Sequence, residues 1–262
     1  MTTIWTITAP FRNTSAADAF PSLAAAFEAD GQFVTGDPIS RVIKKEMADH
    51  TFFIKTYTAG GKGLRQWLGR SRVRAEWENL QFFSRLDIPT APLVAYGQET
   101  CGGIFRRGAL VTAELEGTRD LDSLHLENHP ALADRQWVAN VSRQVARHTR
   151  RLHQNRFGHL DLKWRNILVT LAPVPQTYFI DCPAGRTRRG PDAARWFIKD
   201  LACLDIVAKK RLSRTQRLKF FMEYRGIHHL APRDKHLIRK ILIFFQGHKR
   251  HLADARPTPP RH

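Results

Sequence analysis

The chain has 262 residues, 42% of them apolar, enough for one large core or two modest ones. Its 42 Lys and Arg against 24 Asp and Glu leave a net charge of +18. That excess concentrates polyanions such as nucleic acid, anionic lipid or a phosphorylated glycan without choosing among them. Three unpaired-looking cysteines, Cys101, Cys182 and Cys203, indicate neither a disulfide framework nor a zinc site, so a reducing compartment is expected. The opening MTTIWTITAPFRN has no basic segment ahead of a long apolar run, and nothing approaches the length of a bilayer span. A cytosolic protein is expected, free or seated on a membrane surface.

In chain order, Ser15 to Asp30 is alanine-rich with Phe20, Leu23 and Phe27 at near-helical spacing, and Gly31 follows as a stop. Arg41 to Tyr57 reads as two strands around a polar turn at Met47 to His50. Gly60 to Gly63, GGKG, lacks the leading glycine and the following Ser or Thr of a P-loop and reads as a mobile loop. Lys55 sits late in the apolar run TFFIK, where a buried ammonium is costly without an anion. The helix expected over Ser71 to Leu86 offers one, because Glu76 shares a face with Val73, Leu80 and Phe83. In the plainer alternative Lys55 snorkels to solvent and Glu76 makes a surface ion pair.

Leu93 to Tyr96 and Ala109 to Thr112 are two further strand-length runs separated by glycine turns. ALVTAELEGTRDLDSL then passes from strand to polar link to helix. The expected division is an N-terminal lobe over residues 1–112, a link over 113–117, a second lobe over 118–250 and a basic tail over 251–262. Trp137, Val141, Val145, His148 and Leu152 keep a helical period, and that helix delivers the chain to HLDLKWRN, His159 to Asn166.

Two strand-like runs follow, Ile167 to Thr170 and Tyr178 to Ile180, around a turn holding Pro173 and Pro175. Paired as an antiparallel hairpin, they set Asn166 opposite Asp181. An amide oxygen and a carboxylate then face a hard divalent cation such as magnesium. Asp161 stays outside that shell and can accept a proton from an attacking hydroxyl. Such a set fits phosphoryl transfer. Beyond Asp181, the basic stretch GRTRRGPDAAR reads either as a grip on an anionic acceptor or as a solvated loop. Phe197, Leu201, Leu204 and Ala208 mark another helix with Asp200 at its start. Ser213 with Gln216 makes a capping box for a helix that Gly226 closes, and Leu237 to Phe245 gives one more. After Gln246 the chain turns polar and basic and is expected to fray.

HLDLKWRN with YFIDC resembles the protein-kinase-like superfamily, departing from it in Leu160, where many kinases carry Arg. More narrowly, IPTAP (Ile88 to Pro92), FGHLDLKWRNILV, YFIDC with PAGR behind it, and KDLACLD resemble the lipopolysaccharide core kinase family. That family includes the heptose and Kdo kinases and the relatives labelled InaA. The resemblance implies an α+β, bilobal protein-kinase-like fold with a small β-rich N-lobe, one key helix and a mostly helical C-lobe. It implies ATP and Mg2+ as cofactors, and transfer of the terminal phosphate to a heptose or Kdo hydroxyl of the lipopolysaccharide inner core. Carried over residue by residue, Asp161 is the base and Lys163 offsets charge on the moving phosphoryl group. Lys55, held by Glu76, contacts the nucleotide phosphates; Ala113 to Leu115 meet the adenine edge; Asn166 and Asp181 hold magnesium; and Asp200 braces the catalytic loop. The glycine-rich phosphate cover of kinases is missing, with only Gly36 nearby.

A lipid A-core precursor at the anionic inner face of the inner membrane is the acceptor so implied, and it suits the positive charge. Kinases of small molecules and atypical protein kinases share the loop. Outside enzymes, a nucleic-acid-binding protein on a decayed kinase scaffold is the alternative, although retention of every ligand position speaks against nucleic acid as the partner.

Overall fold

The computed structural model describes residues 1–48, 50–61, 69–188, 190 and 192–246. Part of the GGKG loop (Lys62 and Gly63), Arg189 of the basic stretch and the whole tail over 251–262 lie outside the described residues. The chain divides into two compact units, Met1–Thr118 with Tyr178–Arg186, and Arg119–Thr177 with Thr187–His262.

The first unit is built on a six-stranded antiparallel sheet. Its elements in chain order are β1 (Thr2–Ile7), α1 (Ser15–Ala19), α2 (Leu23–Glu28), β2 (Gln32–Asp37), β3 (Ser40–Glu46), β4 (Thr51–Tyr57), α3 (Arg72–Arg85), β5 (Leu93–Cys101) and β6 (Ile104–Ala113). Strand order is β1-β5-β6-β4-β3-β2. The expected helix over Ser15 to Asp30 is two short ones, since Pro21 cannot continue α1 and Ser22 starts α2 afresh by accepting the Ala25 N–H. β5 and β6 run past the glycines read as turns and close at Gly102 and Gly103, whose φ of +56° and +80° suit a tight hairpin. Gly97 lies inside the ladder instead, where a Cβ would meet the Ile4 carbonyl of β1 at 2.0 Å. Neither β1 nor β2 is announced by the sequence, because both are edge strands and β2 is exposed along its whole length.

Side chains alternate along β4, and this decides what each face of the sheet does. Phe52 and Ile54 join Ala16, Phe20, Leu23 and Ala26 in a buried cluster under α1 and α2. Lys55 and Tyr57 stand in alternation with them, and both meet Glu76 of α3. Ser71 caps α3 by accepting the Arg74 N–H, and Val73, Leu80 and Phe83 bury its inner face.

The second unit is helical: α4 (Leu121–Leu126), α5 (Arg135–Gln154), α6 (Asp192–Arg211), α7 (Arg214–Arg225) and α8 (Pro232–Ile243), with short strands at Phe157–Gly158 and Ile167–Thr170. The Ser213 and Gln216 capping box is present, and Gly226 ends α7 at φ +63° in the left-handed conformation that favours glycine. α8 starts earlier than its apolar pattern suggests, because Pro232 is fixed for a first helical turn and Asp234 accepts the Ala231 N–H at 3.1 Å. Ala146, Leu201, Phe221 and Tyr224 pack with Leu237 and Ile241 into one core. A cavity of about 500 Å³ opens beside it, lined chiefly by apolar residues including Trp137, Val141, Ala208, Phe221 and Ile241. Among the described residues no helix is long and apolar enough to cross a membrane.

Candidate functional site

The residues singled out in the sequence fall into two groups, one in each unit. In the first unit the structure brings Lys55, Glu76 and Asp181 together. Lys55 Nζ lies 3.0 Å from Glu76 Oε1 and 2.6 Å from Asp181 Oδ1, and the Tyr57 hydroxyl donates to Glu76 Oε2. Burial works against charge on Lys55, but the neighbouring Glu76, with Tyr57 and Asp181, outweighs it and holds the amine well above its ordinary pKa. Burial pushes Glu76 upward, opposed by the Lys55 charge and reinforced by Asp181. The side chain of Glu76 is 5% exposed and that of Lys55 16%, so the solvent-exposed alternative for this pair does not hold.

Asp181 has a φ of +53°, a left-handed conformation that costs a non-glycine residue about 1 kcal/mol and persists only where neighbours impose it. Two such neighbours are visible. Before the turn, the Phe179 N–H donates to Pro89 O at 2.9 Å, within the IPTAP stretch. After it, Asn79 of α3 donates from Nδ2 to Cys182 O at 2.6 Å and to Gly185 O at 2.9 Å. Sequence reasoning missed both Asn79 and Tyr57. Their signals are modest: Asn79 lies one helical turn after Glu76 on the buried face, and Tyr57 is two residues after Lys55 on the same side of β4.

Ala113 ends β6 opposite Phe52, and its N–H is taken by Pro92 O at 2.9 Å. The Leu115 carbonyl accepts from the Thr118 hydroxyl at 2.6 Å, so the link after β6 folds back on itself at Gly117, φ +66°. The β2–β3 hairpin carries Gly36 near the end of β2. Its turn is held by Asp37 Oδ1, which accepts from Ile39 N and Ser40 Oγ, both at 2.9 Å.

In the second unit α5 delivers the chain to the HLDLKWRN loop, and α6 holds that loop from beneath. Asp200, fully buried, accepts the His159 N–H on Oδ2 and the Leu160 N–H on Oδ1, each at 2.7 Å. Leu160 sits at φ +67°, another position that needs outside support. His153 Nε2 lies 3.3 Å from Asp200 Oδ2, and its Nδ1 lies 2.8 Å from the Tyr224 hydroxyl. Trp164 Nε1 donates to Leu204 O at 3.1 Å, a second tie to α6. His159 is wholly buried, as befits a structural histidine.

Around Asp161 the charges are positive. Lys163 Nζ is 2.6 Å from Oδ1 and Arg165 Nη2 is 3.3 Å from Oδ2. Burial alone would raise the Asp161 pKa, but the hydrogen bond and charge of Lys163, with Arg165 behind it, hold the carboxyl below its ordinary value. Asn166 Nδ2 donates to Asp161 O at 2.8 Å, which commits the amide nitrogen and leaves the side-chain oxygen for a cation. An amide oxygen of this kind suits magnesium, which takes few protein oxygens and fills its shell with water and phosphate. Among the described residues no group of three or more His, Cys, Asp or Glu side chains gathers to hold a metal.

A search of curated protein sequences returned no match. The structure resembles that of WaaP in complex with acyl carrier protein, with a TM-score of 0.70 and 22% identity over 95% of this chain and 99% of that one. At that identity the likeness establishes the fold, which is kinase-like. The family model described as "Lipopolysaccharide kinase (Kdo/WaaP) family" matches residues 44–224, from the middle of β3 to near the end of α7. The chain belongs to the lipopolysaccharide kinase (Kdo/WaaP) family.

Proposed function

We propose that the protein transfers the terminal phosphate of ATP to a hydroxyl of a heptose or Kdo sugar in the lipopolysaccharide inner core. The observation that carries this reading is the Lys55 ammonium held between Glu76 and Asp181, the arrangement by which kinases aim a lysine at nucleotide phosphates. Asn166 and Asp181 would hold magnesium, which when bound neutralises charge on the phosphates. Ala113 to Leu115 would meet the adenine edge.

Asp161, kept ionised by Lys163 and Arg165, accepts the hydroxyl proton of the acceptor sugar. The sugar oxygen bonds to the terminal phosphorus as the bond to the bridging oxygen breaks and ADP leaves. Lys163 offsets the negative charge on the group in transit. A lipid A-core precursor in an anionic inner membrane is the proposed acceptor class, and the net charge of +18 is compatible with it. The deciding experiment is the mass of the core oligosaccharide from cells with and without the gene. Loss of one phosphate is expected; an unchanged core redirects the search to proteins or small molecules.

WaaP, the structural neighbour, was solved in complex with acyl carrier protein, and we propose such a carrier as a partner of this chain. Acyl carrier proteins present an acyl chain, and the cavity of about 500 Å³ beside α5 and α8, apolar along most of its lining, is suited to one. Acyl-loaded carrier protein is expected to bind the purified chain and the unloaded carrier to bind less. Filling the cavity with Ala208→Phe should abolish the difference.

A further inference from the structure

We infer that Asn79 is a positioning residue that sets Asp181 for the metal, so that one helix, α3, controls both the phosphate-binding lysine and the metal-binding acid. The inference rests on the kinase reading above and deepens it. Glu76 and Asn79 lie one turn apart on the buried face of α3, 3% and 2% exposed. Glu76 grips Lys55, and Lys55 reaches Asp181 Oδ1. Asn79 grips the backbone on the other side of the same acid: both hydrogens of its amide nitrogen serve carbonyls, those of Cys182 and Gly185. Arg70, which precedes the α3 cap, adds a second donor to Gly185 O at 2.9 Å.

The geometry calls for such a hold. Asp181 has left-handed backbone and no glycine to ease it, and the residues after it, Cys182 and Pro183, form no regular ladder that would fix the turn. Asparagine is the side chain that a buried clamp on two carbonyls requires, since its amide supplies two donors without charge. Aspartate offers none, and leucine of similar volume leaves both carbonyls unsatisfied. Groups that orient a metal ligand, though not bound to the ion, generally change metal affinity by about 10- to 100-fold when removed. Loss of the Asn79 clamp should therefore appear as weakened metal use and leave metal-free nucleotide contacts with Lys55 in place.

The test uses the purified full chain and a fluorescent ATP analogue, titrated without metal and then with increasing Mg2+, together with Mn2+ binding read by electron paramagnetic resonance in the presence of nucleotide. For Asn79→Leu the metal-free affinity is expected to stay within about twofold, while the metal concentration for half-maximal gain rises about tenfold. Leu80→Ala, a packing loss on the same helix, controls for general loosening and should lower the melting temperature without moving the metal midpoint. The inference is overturned if Asn79→Leu leaves the midpoint in place, if its metal-free affinity falls by as much as its metal-bound affinity, or if Leu80→Ala shifts the midpoint equally. A wild-type chain that binds no nucleotide under any metal condition overturns the kinase reading as well; wild-type binding with an unmoved variant overturns the Asn79 assignment alone.

Discussion

Asp200 Oδ1 accepts the Leu160 N–H at 2.7 Å, and Leu160 is the residue before Asp161 and sits in a left-handed backbone conformation. The buried acid of α6 thus fixes the entry into the HLDLKWRN loop. Its other oxygen holds His159 N, so both lone-pair faces are committed to consecutive peptides. Asp200→Ala leaves two buried N–H groups without their acceptor and is expected to lower stability by about 2–4 kcal/mol. Displacing Asp161 by a fraction of an ångström should reduce turnover by about 10²-fold even where the variant folds. Urea unfolding and phosphate transfer on the same preparation separate the two effects.

For Asp161→Asn the expectation runs the other way. The carboxylate is replaced by an amide of the same shape, so the melting temperature should hold while turnover drops by roughly two to four powers of ten. Near-normal transfer by this variant removes Asp161 from the role of base.

Lys55→Met leaves the buried Glu76 carboxylate, and the more exposed Asp181 beside it, without the ammonium that joins them. Breaking a buried pair in this way costs about 3–5 kcal/mol, and nucleotide binding should weaken with it. Glu76→Gln keeps the volume and a hydrogen-bond acceptor while removing the charge that holds Lys55, so it should reduce activity with a smaller loss of stability. Equal melting temperatures for Lys55→Met and the wild type would contradict the buried placement of this network.

His148 makes the pH dependence specific. Burial in α5, helped by the charge of Arg151, pushes its pKa from the ordinary 6.5 down to about 4, so the folded protein keeps the ring neutral. Between those values the unfolded chain binds a proton that the folded chain does not, and stability falls as pH falls through that window. The full effect is about 3 kcal/mol. His148→Gln should flatten the dependence of the urea midpoint between pH 7 and pH 4, and an unchanged slope would mean that the ring titrates normally.

What could be read from the sequence was what depends on neighbours a few residues away. The α7 capping box needs only Ser213 and Gln216, and Gly226 marks its own stop. The face of α3 that carries Glu76 follows from a 3.6-residue period, and the burial of Lys55 follows from the apolar run around it. HLDLKWRN is compact enough that a chemistry can be proposed for it from the string alone. Tertiary structure decided the rest, because its causes lie far apart in the chain. Asn79 and Cys182 are separated by 103 residues, and His153 and Tyr224 by 71, so no local pattern announces either contact. β1 became a strand because β5 offered it an edge, and Gly97 became part of a ladder because β1 crosses it too closely for a side chain. Periodicity reports which face of an element is apolar, whereas the polar groups that hold Asp181 and Leu160 in strained backbone are selected only when distant segments pack and each buried N–H and carbonyl must find its partner.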